Sequence, residues 1–150
     1  MTITLGQAIR NAIEGEKAAE RFYLELAAVA READTRDFLR HVAGEEREHA
    51  SRLELVARQL VDGALPERAD MPVGGIEHAP GLVGSKDLEF AQALALAIEA
   101  EDSAVLYYDG LASSCTGEVA AFFMSVRGME ERHAARIRAV LRAGGPPKND

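Results

Sequence analysis

From Ile3 to about Arg31 the chain has no proline, and its apolar residues recur at helical spacing. Ile9, Ala12, Ile13, Ala19, Tyr23, Leu26 and Ala30 fall on one stripe. In the turn that follows, Asp34 is the expected N-cap of a second helix. That helix runs to about Val61, with Phe38, Leu39, Val42, Leu53, Val56 and Leu60 facing inward. The texture then changes: residues 62–85, DGALPERADMPVGGIEHAPGLVGS, are interrupted by proline and glycine throughout and cannot be helical. A third helix is predicted from about Ser85–Asp87 to Ser113, and Ser114–Gly117 forms a second short turn. The fourth helix ends near Ala143, and residues 144–150 form a flexible tail opened by Gly144-Gly145-Pro146-Pro147. Short turns join antiparallel neighbours, whereas 62–85 is long enough to run the length of a bundle. The expected fold is therefore all-α: one domain, 1–150, in which two helical hairpins joined by a long crossover connection make a four-helix bundle.

The two hairpins are copies. AIEGEKAAERFYLELA (Ala12–Ala27) aligns without gaps on AIEAEDSAVLYYDGLA (Ala97–Ala112). FLRHVAGEEREHASRL (Phe38–Leu53) aligns on FFMSVRGMEERHAARI (Phe122–Ile137), one residue out of step, as a second turn shorter by one would give. Glu46-x-x-His49 thus has a counterpart in Glu130-x-x-His133.

Periodicity separates the acids that face inward from those that do not. Positions three, four and seven away from Glu16 are nearly all apolar, and the same holds for Glu101; Glu14 and Glu99 have polar neighbours. Glu46 shares a stripe with Leu39, Val42, His49 and Leu53, and Glu130 with Phe123, Val126, His133 and Ile137. Glu45, Glu48, Glu131 and Arg132 are expected toward solvent. The midpoint of Glu16 and Glu46 falls near Arg31, and that of Glu101 and Glu130 near Cys115, both at turns. Residues equidistant from a hairpin turn sit at one height, so all four acids and both histidines come to a common level. Four carboxylates inside an apolar bundle would each cost several kcal/mol or become protonated unless paired. No lysine or arginine lies in register to pair with all four. Two divalent cations would balance them, and oxygen donors with one imidazole per ion suit iron or manganese, with zinc also admissible.

Charge and cysteine content narrow the setting. A net charge of −8 gives no basic surface for nucleic acid or an anionic membrane. Cys115 is the single cysteine, which excludes an internal disulfide and any CxxC motif. No signal peptide and no membrane-spanning run is apparent, so a cytoplasmic protein is expected.

At these residues the chain resembles the ferritin-like superfamily, and rubrerythrin-type domains most. GEEREHA (Gly44–Ala50) is similar to the second-helix motif of ferritin di-iron centres, and EGEKAAERFY (Glu14–Tyr23) to the first-helix motif of rubrerythrin-type proteins. The resemblance implies metal ligation by Glu16, Glu46, His49, Glu101, Glu130 and His133, with Glu46 and Glu130 bridging two iron ions. Tyr23 and Tyr108 become hydrogen-bond donors across the site, or else ordinary core tyrosines, and Glu20 a spare ligand or proton relay. Two departures are visible: the paired CxxC motifs of a rubredoxin domain are absent, so electrons for a reductase cycle would come from a separate donor. Ala104 also stands where rubrerythrins carry an extra glutamate.

The function so implied is a di-iron carboxylate oxidoreductase that reduces peroxide or O2 by oxidation of a bound Fe(II) pair, working as a homodimer or higher homo-oligomer. The alternatives are iron storage in a ferritin-like assembly and a non-catalytic zinc or manganese protein. His41, on a helix flank, His78, in the connection, and Cys115, in a turn, carry no expected chemistry.

Overall fold

A computed structural model describes residues 4–70 and 90–143. It contains four helices: α1 (Leu5–Val29), α2 (Ala33–Leu60), α3 (Phe90–Ser114) and α4 (Gly117–Arg142). The predicted start of the third helix, residues 71–89 of the connection and the tail from 144 lie outside the described residues.

Local chemistry sets the helix ends. Thr4 caps α1 by accepting the Gln7 N–H at 3.1 Å. The cap of α2 is Glu32 rather than Asp34, and it makes no side-chain cap hydrogen bond. Asp34 sits inside the first turn instead, where its charge meets the positive end of the helix dipole. Ala30–Glu32 join α1 to α2, and Cys115–Thr116 join α3 to α4. The second turn is shorter by one residue, which accounts for the slip between the two repeat alignments. Gly117 opens α4 at a φ of +64°, and a side chain there would meet nothing within 4 Å of its Cβ. Gly117→Ala should therefore cost about 1–2 kcal/mol through backbone strain alone, read as a lower denaturant midpoint.

The helices of each hairpin pack against each other, and the hairpins meet between α1 and α3 and through side chains of α2 and α4. Residues 16 and 23 of α1 face 108 and 101 of α3, so these helices are antiparallel and α3 runs parallel to α2. The chain therefore crosses the bundle between α2 and α3, as the pattern of turns requires. The start of that crossing is tied to α1: Arg10 Nε donates to Pro66 O at 2.6 Å, Gln7 to Arg68 O at 3.0 Å, and the buried Asn11 to Asp70 at 2.9 Å.

All seven stripe residues of α1 are buried, as are Leu39, Val42 and Leu53; Phe38, Val56 and Leu60 are only half-buried at the margin. Among the described residues no helix is long and apolar enough to cross a membrane.

Candidate metal centre

Halfway along the bundle the apolar core is interrupted by acids and imidazoles. Glu16, Glu46, Glu101 and Glu130 are all 2% exposed or less, and His49 and His133 are buried beside them. The hairpin heights read from the turns bring all six together. Glu46, His49, Glu130 and His133 each present one ligating atom within 4.8 Å of the others'. The two imidazoles stack with centroids 4.9 Å apart. Nδ1 of His133 points inward, 2.6 Å from Glu46 and 3.5 Å from Glu101; Nδ1 of His49 lies 3.3 Å from Glu130 and 3.5 Å from Glu16.

Tyr23 and Tyr108 occupy matching positions in the repeat and reach across to the opposite hairpin. The Tyr23 hydroxyl donates to Glu101 at 2.5 Å, and that of Tyr108 to Glu16 at 2.7 Å. Burial beside these carboxylates pushes both phenols well above their ordinary range, which keeps them protonated donors. Tyr23→Phe leaves a buried Glu101 oxygen without its donor. A loss of about 1–3 kcal/mol in metal-free unfolding experiments is expected.

The electrostatics of the metal-free cluster are those of too many acids in too little water. Burial, then repulsion from Glu16 and Glu101, pushes Glu46 well above the usual carboxylate range. Burial, with Glu46 and Glu16 close by, does the same to Glu130. Glu16 goes the other way: burial opposes its ionisation, but contacts with Glu46, His49 and Glu130 bring it down to about 2. For His133 burial disfavours the charge, and Glu101 and Glu45 outweigh it to raise the imidazole.

Even so, one oxygen each of Glu16, Glu46, Glu101 and Glu130, and Nδ1 of both histidines, remain buried without a hydrogen bond. Orphaned buried donors and acceptors are rare in folded proteins. Here both Nδ1 atoms lie 2.6–3.5 Å from carboxylate oxygens of the cluster. Oxygen-rich, imidazole-containing and internally directed, such a donor set fits divalent iron or manganese.

Other residues stand apart from the cluster. Glu20 is half-buried and accepts from Arg47 at 2.9 Å instead of turning to the acids. His41 is exposed, Cys115 packs at the core margin, and His78 lies outside the described residues. Glu45 departs most from expectation. Its side chain is 22% exposed rather than solvated, and its carboxylate contacts His133 Nε2, Arg136 at 2.7 Å and His41 at 2.9 Å. Burial opposes its charge, and Arg136 with His133 lowers it below the usual carboxylate range. A carboxylate on the outer nitrogen fixes the tautomer and orientation of an imidazole whose other nitrogen faces a metal. Helix-face polarity could not reveal this, because His133 and Arg136 come to Glu45 from α4.

Beside the carboxylates, between α1 and α3, lies a cavity of about 20 Å³ lined by Gly15, Ala19, Ala100, Ala104 and the two tyrosines. It has room for one water-sized molecule.

Two solved structures share the architecture. An uncharacterised conserved protein from Magnetospirillum magnetotacticum MS-1 is 20% identical, with a TM-score of 0.70 over 99% of both chains. A hypothetical protein from Pyrococcus furiosus is 20% identical, with a TM-score of 0.64 over 97% of this chain and 94% of its own. At that identity they establish the fold, which is ferritin-like. No functionally curated protein matches. The family model for rubrerythrin matches residues 7–84, which include Glu16, Glu46 and His49. With more than half of its length so matched, the chain belongs to the rubrerythrin family.

Proposed function

We propose that this protein is a di-iron carboxylate oxidoreductase that reduces peroxide or O2. Glu16, Glu46, His49, Glu101, Glu130 and His133 would hold the two ions. The observation that carries the reading is the convergence of six buried side chains whose inward atoms have no other partner. When bound, an Fe(II) pair supplies two electrons to one oxidant. The rest is the work of the chain. The tyrosines hold Glu101 and Glu16 in place from the opposite hairpin, and Glu45 holds His133. Small residues, Gly15, Ala19, Ala100 and Ala104, line the cavity beside the carboxylates and leave space there for a small oxidant rather than a bulky substrate to approach. Metal entry would favour the ionised forms of Glu46 and Glu130 that burial disfavours in the metal-free chain. With one cysteine in the chain, a separate partner is the proposed electron donor.

The test is to load the protein anaerobically with Fe(II) and add H2O2 or O2. An increase in near-ultraviolet absorbance on oxidation is expected, and an unchanged spectrum with both oxidants refutes the reading.

A further inference from the structure

The duplication allows each half of the molecule to be read against the other. The α2 and α4 repeats place Arg52 with Arg136, Glu45 with Met129 and His41 with Ser125. Around His133 the set is complete: the Glu45 carboxylate sits between the imidazole and Arg136. Around His49 the arginine is retained and the carboxylate is not. The Arg52 guanidinium meets the Met129 sulfur at 3.7 Å, a weak acceptor, and among the described residues no carboxylate pairs with it. His49 turns Nδ1 to the interior acids, so its other ring edge faces the outer side. At this place α2 and α4 enclose a groove of about 300 Å³, lined by His49, Arg52, Ser125 and Met129 at its polar end. Leu55, Val56 and Phe122 continue it as an apolar wall, and Leu55 is 56% exposed.

We propose that this groove binds a small carboxylate with a short apolar tail, its head held by Arg52 where the other half of the molecule uses the Glu45 side chain. A guanidinium suits a carboxylate, and charge-assisted hydrogen bonds of this kind are the strong ones. The groove is at the lower end of the range for small-ligand pockets, and its apolar wall selects a tail of a few carbons over a bare inorganic anion. The site is distinct from the metal cavity, which opens between α1 and α3.

The chain has four methionines, so methyl-labelled methionine gives a simple NMR spectrum. The Met129 signal is assigned by its loss in Met129→Leu. Butyrate is expected to shift that signal saturably, and butyramide, of the same shape but uncharged, is not. Arg52→Gln should weaken butyrate binding about tenfold or more. Met129→Glu, which supplies the missing carboxylate from the chain itself, should abolish the heat of butyrate binding. No saturable shift, an equal response to butyramide, or unchanged affinity in Arg52→Gln would overturn the proposal. None of these readouts depends on metal, so failure here is distinct from failure of the iron assignment.

Discussion

Replacing Glu46 with methionine is expected to abolish binding of the metal pair and, in the same protein, to stabilise the metal-free chain. Glu46 is 1% exposed, lies at the centre of the cluster, and has an oxygen with no hydrogen bond. Methionine has a similar length and no charge, and needs no partner. Substituting buried charged groups by hydrophobic residues of similar volume is often stabilising by about 1–4 kcal/mol. The gain comes from relief of desolvation and of repulsion by Glu16 and Glu101, the forces that push the Glu46 carboxyl upward. Metal analysis after desalting and denaturant unfolding in EDTA measure the two effects. Opposite signs mark a residue retained for a ligand rather than for the fold; a loss of both metal and metal-free stability would make Glu46 structural.

The second large effect is on pH. In the metal-free protein Glu46 and Glu130 carry pKa values well above the ordinary 4.5. The folded state therefore binds protons that the unfolded state has already lost, and the stability these acids contribute is complete below pH 4.5 and declines as pH rises. The slope is at most about 1.4 kcal/mol per pH unit for each acid. His133, raised above 6.5, adds a decline in the same direction above that value. Glu16, lowered to about 2, acts the other way, its contribution present above 4.5 and lost as pH falls toward 2. The metal-free chain should thus be most stable near pH 4.5 and lose melting temperature from there to pH 8. Metal reverses the trend, because ligation needs deprotonated carboxylates and grows stronger as pH rises. Melting curves at several pH values, with EDTA and with Mn(II), test this. A metal-free protein that becomes more stable toward pH 8 would contradict the cluster electrostatics.

Much of the site can be read from the sequence because the chain states it twice. One Glu-x-x-His could arise by chance, whereas two in matching positions, each level with an inward glutamate across a turn, define a layer of the bundle. The tyrosines were legible as positions, seven residues beyond Glu16 and Glu101, but their targets lie on the opposite hairpin and needed the packing of α1 on α3. Glu45 shows where a periodicity argument ends. A helical wheel places it on the flank of α2 and says nothing about what that flank meets; antiparallel α4 brings His133 and Arg136 to it. Asp34 fell one turn position inside its helix because Glu32 already has the extended conformation of a cap, and the residue type alone does not fix which of two neighbours takes that role.

The measurement that bears most directly on the central claim is an anaerobic Fe(II) titration of the intact chain, followed by metal and protein quantification. Six buried candidate ligands in two Glu-x-x-His halves predict an end point of two ions per chain, lost in Glu46→Met. An end point of one or none, or two ions bound equally well without Glu46, would contradict it.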